Sequence, residues 1–345
     1  MAILARWYEP DTRFIAAHHQ PAVLVELGLS RGISSHHLLR GVGLFYEDML
    51  TGQASLSPAQ FLTLVANSRR WLESDDTSFL FGQRVLPGHY GETSQVLHQA
   101  GNLGQALAHL CEAHALLSPW LTPRMFKDDR LVYLYWLDNC GAGEQHMFLV
   151  EAMQAGVVAM ARWLSGQRLP WCFHFAHPEP RHVEQYWVHL GESLQFDQPL
   201  NMMSLPLDYL EQPWPNASPI AAGVAWQGSR AQLDELGFSD SLLDLLYVHL
   251  RRHIRQTPSL ERVAQAFGMS PASLKRRLKK HGTHFQAQLD LVRMHVALYL
   301  FHVKGSTNEE VADYLCFNDV PNFRRSFKRW TGLPPSDLRQ ILGCA

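Results

Sequence analysis

Two short stretches of this sequence concentrate side chains that donate hydrogen bonds to anionic or base-edge partners. Residues 271–280 include Lys275, Arg276, Arg277, Lys279 and Lys280, and residues 320–331 include Asn322, Arg324, Arg325, Lys328 and Arg329. Such cations on a helix suit phosphates, while Arg and Asn can also grip guanine and adenine bidentately. Metal and nucleophilic chemistry find less support. Thirteen of the 19 histidines precede residue 241, but His18-His19, His36-His37 and His174-x-x-His177 lack companion ligands at zinc spacing. No H-E-x-x-H, G-x-S-x-G, P-loop or G-x-G-x-x-G occurs. Five scattered cysteines without a C-x-x-C argue against a disulfide framework and a Cys-based zinc site. The expectation is therefore no catalytic residue, no cofactor and no metal.

The elements that must position the cations form a repeat. Val263-Ala264-x-x-Phe267-Gly268-Met269-Ser270 returns 48 residues later as Val311-Ala312-x-x-Leu315-Cys316-Phe317-Asn318. Beyond the turn the offset is 49, matching Leu274 to Phe323, Arg276 to Arg325 and Leu278 to Phe327, with Asp319 as the extra residue. Each copy reads as a helix-turn-helix: a short first helix buries an apolar stripe, and a second presents cations. Thr257-Pro258 is expected to open the first helix, and Ser270-Pro271 the first recognition helix. Thr307-x-x-Glu310 is a capping box, and Asp319 can cap the second recognition helix, which Gly332 ends. Between the copies a helix starting at Thr283-x-x-Gln286 has apolar residues at 285, 289, 292, 296, 299 and 303. Some 20 residues at ~1.5 Å rise span roughly 30 Å. Successive major-groove faces lie ~34 Å apart, so one connector could seat both recognition helices in adjacent turns.

Charge divides the chain the same way. Residues 1–240 hold 14 Lys+Arg against 24 Asp+Glu, a net −10, and residues 241–345 hold 16 against 8, a net +8. A basic stretch of that size points to a polyanion. The first part reads differently. Helical patterns fill most of the first 120 residues, then strand-like runs appear at 130–136 and 171–176, with a helix around 144–165, another at 181–190, and short strands near 194–196 and 200–205. The expected fold is an α+β domain followed by an all-α double helix-turn-helix. The proline-rich 211–219 marks the boundary, giving domains at 1–210 and 241–345 joined by a linker at 211–240. With no basic leader and no run of about 18 uncharged apolar residues, a cytoplasmic protein without membrane attachment is expected.

Residues 241–345 resemble the double helix-turn-helix domain of the AraC/XylS family of bacterial transcription regulators. The run Val311-Ala-Asp-Tyr-Leu-Cys-Phe-Asn-Asp-Val-Pro-Asn-Phe-Arg-Arg-Ser-Phe-Lys-Arg-Trp-Thr-Gly-Leu-Pro-Pro-Ser-Asp-Leu-Arg339 follows the family signature almost throughout. More loosely, residues 1–210 are similar to the arabinose-binding-like domain of one family branch, at Leu103-Gly-Gln-Ala-Leu107 and His177-Pro-Glu-Pro-Arg-His-Val-Glu-Gln-Tyr186 through Phe196-Asp197. That label does not make arabinose the ligand. The resemblance implies base contacts from Ala272, Lys275 and Arg276 in one repeat, and from Pro321, Asn322 and Arg325 in the other. Ser270, Ser273, Lys279, Arg324, Lys328 and Arg329 complete the expected DNA surface. It also implies a small-molecule effector, RNA polymerase as a partner of an activator, and a homodimer. Tyr133, Tyr135, Trp136, Trp171, Phe173 and His174, on two expected strands, could line an effector pocket. The alternatives are a sequence-indifferent architectural DNA binder and a DNA-regulated enzyme. One departure stands out: Cys316 occupies the turn position where the family pattern, and Gly268 in the first copy, has glycine.

Overall fold

The computed structural model describes residues 6–337. The N-terminal part is α+β, as its pattern of helices and strand-like runs suggests. A small antiparallel pair, Ile15–Ala16 with Ser55–Leu56, accompanies helices Gln20–Ser30, Pro58–Leu72, Thr77–Val85 and Leu103–Glu112. Ser57 caps Pro58–Leu72 in a full capping box, its hydroxyl accepting from the Gln60 N–H. The long helix His146–Ser165 ends at Gly166, whose φ of +71° supplies the left-handed cap. It lies so close to Thr77–Val85 that a Cβ on Gly82 would sit 2.1 Å from the Ala152 carbonyl oxygen. Glycine is required there. The segment Gly143–Ser165 is long and apolar enough to cross a membrane, but most of it is buried within the protein, as a core helix is.

A five-stranded sheet closes this domain. Its order is Leu121–Lys127, Leu131–Asp138, Met202–Pro206, Cys172–His174 and Leu194–Gln195, antiparallel except for the last pair. Successive side chains on a strand point to opposite faces. Leu134, Trp136, Phe173 and Met203 therefore enter the N-terminal core together with Trp171. Tyr133, Tyr135, Leu137 and Met202 point the other way. Cys111, Cys140 and Cys316 are free thiols, whereas Cys172 is disulfide-bonded.

Residues 211–240 hold helix Pro219–Leu236, capped by Ser218, which lies against Glu92–His98. The Thr93 hydroxyl meets Ser229 Oγ at 3.0 Å and donates to Gln232 Oε1 at 2.9 Å. From residue 242 onward the described chain is helical, without a strand. Leu242–Arg252 leads into the two helix-turn-helix units, Leu260–Ala266 with Pro271–Lys280 and Asn308–Tyr314 with Val320–Thr331, joined by Phe285–His302. The caps expected at Ser270, Thr307 and Asp319 form. Two expected starts move: Ser259, not Thr257, caps the first helix, and His284, not Thr283, caps the connector. Thr257 takes φ +44° and turns the chain ahead of Pro258. The Thr283 hydroxyl is engaged by the Gln288 amide instead.

The two domains share a core. The sheet face carrying Tyr133, Tyr135, Leu137 and Met202 packs into the cluster formed by Leu243, Leu246, Tyr247 and the connector helix. Tyr8 bridges Ser241, its N–H donating to Asp240 O and its carbonyl accepting from Leu242 N–H. Beside them Asp244 is buried between His114 Nε2 at 3.6 Å and Arg124 Nη2 at 3.7 Å, and also accepts from Ser241 Oγ at 2.8 Å. Burial would raise the Asp244 carboxyl, but His114 and Arg124 outweigh it and hold it down at about 2. Burial likewise opposes a charged His114, and Asp244 overcomes it, raising the imidazole above its ordinary value.

Asp244→Asn leaves His114 and Arg124 facing a neutral amide, with an expected loss on the order of 3 kcal/mol in denaturant unfolding. The pH limbs follow from the two shifts. His114 lies above 6.5, so its contribution is complete below pH 6.5 and fades as pH rises through its folded pKa. Asp244 falls from 3.8 to about 2, so its contribution is complete above about pH 4 and is lost as pH drops toward 2. The stability difference between wild type and Asp244→Asn should be largest between these limits. His114→Gln should flatten the alkaline limb, and a limb that persists would remove His114 from the account.

Candidate nucleic-acid interface and the cleft behind it

Amphipathic spacing sets the orientation of each recognition helix. In Pro271–Lys280 the buried Leu274 and Leu278 fix one face to the core, which leaves Ala272, Lys275, Arg276 and Lys279 exposed together at i, i+3, i+4, i+7. Ser270 is exposed and Ser273 half-buried, and the Ser270 hydroxyl donates to the Ser273 hydroxyl at 3.0 Å. In Val320–Thr331 the buried Phe323 and Phe327 do the same, exposing Pro321, Arg324, Arg325 and Lys328. Each of the four positions 272, 275, 276 and 279 thus has its counterpart 49 residues later. Asn322 is half-buried, its N–H donating to Asp319 Oδ1, while its side-chain oxygen accepts from Arg325. Arg329 is exposed but donates to Asp290 of the connector at 3.2 Å.

Two cations of the first recognition helix face elsewhere. Arg277 and Lys280 both pair with Glu9, Lys280 also pairs with Asp11, and the Arg277 guanidinium lies 5.8 Å from the centre of the Trp7 ring. The N-terminal segment thus clasps the flank of that helix and leaves its outer face open. Cys316 takes φ +58°, matching Gly268 at +64°, so the second turn keeps the left-handed geometry at a cost on the order of 1 kcal/mol. Its thiol points at the Arg255 carbonyl oxygen, 3.3 Å away.

The connector is 18 residues long, about 27 Å at ~1.5 Å per residue, and more deeply buried than one stripe would allow. Leu289 and Val292 are buried as expected, but so are Met294, His295, Ala297, Leu298 and Phe301. A helix apolar on nearly all sides is buried on nearly all sides. Its second face meets the sheet, and between them lies a cleft of about 560 Å³.

The six residues expected to line an effector pocket do not act together. Tyr133 and Tyr135 line this cleft; Trp136, Trp171 and Phe173 are in the N-terminal core on the opposite face. Strand alternation separates them, since the expected set took adjacent residues as one surface. His174 shares the face of Tyr135 through its pairing with Met202, yet it is buried outside the cleft. Burial lowers its imidazole to about 4, with Gln198 opposing. The cleft instead takes in Tyr247, Arg251, Arg252, His295 and His302 from the C-terminal domain, which sequence reasoning missed. Two hydrogen-bonded chains cross the boundary there. Tyr135 Oη approaches Tyr247 Oη at 3.4 Å, and Tyr247 Oη meets His295 Nδ1 at 3.0 Å. Tyr133 donates to Asp128 at 2.8 Å and also meets His302 Nε2.

Among the described residues one group, His114, Asp240 and Asp244, brings metal-capable atoms together. Arg124 already faces Asp244 there, so the carboxylate has its counter-charge from the protein.

A model of the arabinose-binding N-terminal domain of the AraC transcription regulator matches residues 32–214, and a helix-turn-helix domain model matches residues 263–341. The chain belongs to the AraC family of transcription regulators. An ornithine utilization regulator of Pseudomonas aeruginosa is 29% identical over 318 residues, 92% of this chain and 94% of that protein. The HTH-type transcriptional activator RhaS of Salmonella schwarzengrund is 31% identical over 103 residues, 30% of this chain and 37% of that one. The crystal structure of the transcriptional regulator CdpR from Pseudomonas aeruginosa aligns over 93% of this chain and 98% of that chain, with 22% identity and a TM-score of 0.37. These relatives are regulators rather than enzymes, and membership makes this chain a DNA-binding transcription regulator too.

Neutralising the clasp in Glu9→Gln/Asp11→Asn releases Arg277 and Lys280 as two further cations near the DNA-facing surface. Each phosphate contact adds about 0.9 to the slope of log K against log salt. Fluorescence anisotropy with a random duplex should therefore give tighter binding and a slope steeper by about 1–2. An unchanged slope would place both cations away from the phosphates.

Proposed function

We propose that the chain is a sequence-specific activator, controlled by a small-molecule effector, that reads two adjacent major-groove segments of double-stranded DNA. Ala272, Lys275 and Arg276 would read bases in one segment and Pro321, Asn322 and Arg325 in the other. Ser270, Ser273, Lys279, Arg324, Lys328 and Arg329 would complete the contact surface, with the long cations on phosphates. The observation that carries the reading is the matched exposed face at i, i+3, i+4, i+7 on both recognition helices. Effector control is supported by the core that the N-terminal sheet shares with the connector. A ligand with different affinities for two arrangements of that contact would shift the frame on which both readers are mounted. RNA polymerase and a second copy of the chain enter as partners on family grounds, as does a place in the cytoplasm. The division into 1–210, 211–240 and 241–345 belongs to the same reading.

Selection of sheared genomic fragments by the purified chain at physiological salt, followed by sequencing, tests it. Sharp enrichment is expected. Arg276→Ala and Arg325→Ala should each abolish preference in one half of the site, at roughly 1–3 kcal/mol per bidentate contact. Uniform recovery with both the wild type and the double variant would instead establish the architectural binder.

A further inference from the structure

We propose that the cleft between the sheet and the connector helix is the effector site, and that it takes a small organic monoanion, a carboxylate on an apolar or aromatic body. The inference rests on the effector-controlled reading and adds to it a location and a ligand class. Protein interiors are close-packed, with few voids larger than a water molecule. A cleft of about 560 Å³ at the boundary of two packed domains is far larger, and is of a size that takes small molecules. Its walls are apolar and aromatic on both sides: Phe126, Tyr135 and Met202 from the sheet, and Tyr247, Leu298 and Tyr299 from the C-terminal domain.

The polar groups set the sign of the ligand. Arg251 and Arg252, in the last turn of Leu242–Arg252, both line the cleft, and no aspartate or glutamate does. Arg277 and Lys280, which also meet the N-terminal domain, both have a carboxylate partner in Glu9. Arg251 and Arg252 have no ion-pair partner among the described residues. His295 supplies an independent observation. It is 92% buried and lines the cleft, and its Nε2 has no hydrogen-bond partner among the described residues, although buried polar groups as a rule are paired. Burial lowers the ring's pKa to about 4, so it is neutral near pH 7. Tyr247 Oη engages Nδ1, which leaves Nε2 as the unpaired ring nitrogen. Two guanidinium groups on a lining without a carboxylate are a recognition set for a carboxylate ligand. The same set disfavours diamines and basic amino acids, whose ammonium groups would meet two arginines, while Asp128 is already engaged by Tyr133 and His302. A ligand held here touches both domains at once.

Isothermal titration calorimetry on the full chain tests the site with three acids: 4-phenylbutyrate, indole-3-acetate and hexanoate. At least one should bind, and its amide and amine counterparts should bind at least tenfold more weakly. Arg251→Ala/Arg252→Ala should weaken the acid tenfold or more and leave the amide unchanged. Both arginines are exposed, and matching melting curves will show that the fold is kept. Three results would overturn the proposal: no acid binds, the amine binds as well as the acid, or the double variant binds the acid like wild type. Anisotropy with selected DNA, with and without the acid, separates this site from its regulatory role. Acid binding that leaves DNA affinity unchanged supports the anion site and removes the effector reading.

Discussion

A sheet must bury both of its apolar faces, and this one covers the second with the DNA-binding domain. Helices of the N-terminal domain pack against Leu134, Trp136, Phe173 and Met203. Among the described residues no helix of the same domain joins the cluster of Tyr133, Tyr135, Leu137 and Met202, which pack against Leu246, Tyr247 and the connector instead. Separating the domains would expose an aromatic surface on one and a row of buried connector residues on the other. The hydrophobic term thus favours the docked arrangement.

Polar interactions fix how the faces meet. Hydrophobic contact is non-directional, so the register must come from groups with geometry. Asp244 supplies one such point, because a buried carboxylate tolerates few positions other than between His114, Arg124 and Ser241. Gly141 supplies another: a Cβ there would lie 2.4 Å from the His281 carbonyl oxygen, so the backbones themselves are in contact. The clasp at Glu9 and Asp11 is more exposed and correspondingly easier to release. The opposite net charges of the two halves already favour such pairing at long range.

The elements legible in the sequence were those fixed by local rules. The repeat and the caps at Ser270, Thr307 and Asp319 depend on residues within one or two turns of each other. So do the strand at 131–138 and the buried helix ending at Gly166. The cleft was not legible, because it is made by residues far apart in the chain, with Tyr135 beside Tyr247 and Tyr247 beside His295. One local signal does point to it. In Met294–Leu300 the apolar residues exceed a single stripe, which is the pattern of a helix covered on two sides. The expected pocket failed for the converse reason, since neighbouring aromatic residues on a strand cannot share a face.

The two recognition helices are prepared for DNA in different ways. In the second, Asp319 holds Asn322, Asn322 holds Arg325, and Asp290 ties Arg329 to the connector. Side chains already held in one geometry lose less rotamer freedom on binding, so this half would meet DNA preorganised under the proposed reading. In the first, Lys275, Arg276 and Lys279 are exposed, and no hydrogen bond ties them among the described residues. Their long chains lose more freedom when they bind but can adapt to more than one arrangement of the groove. The first helix is also the one clasped by the N-terminal segment through Arg277 and Lys280. The helix with the more adaptable exposed cations is therefore the one whose placement the N-terminal segment holds most directly. On the proposed reading, a change in docking would act first on the half-site whose readers the DNA-binding domain holds least firmly.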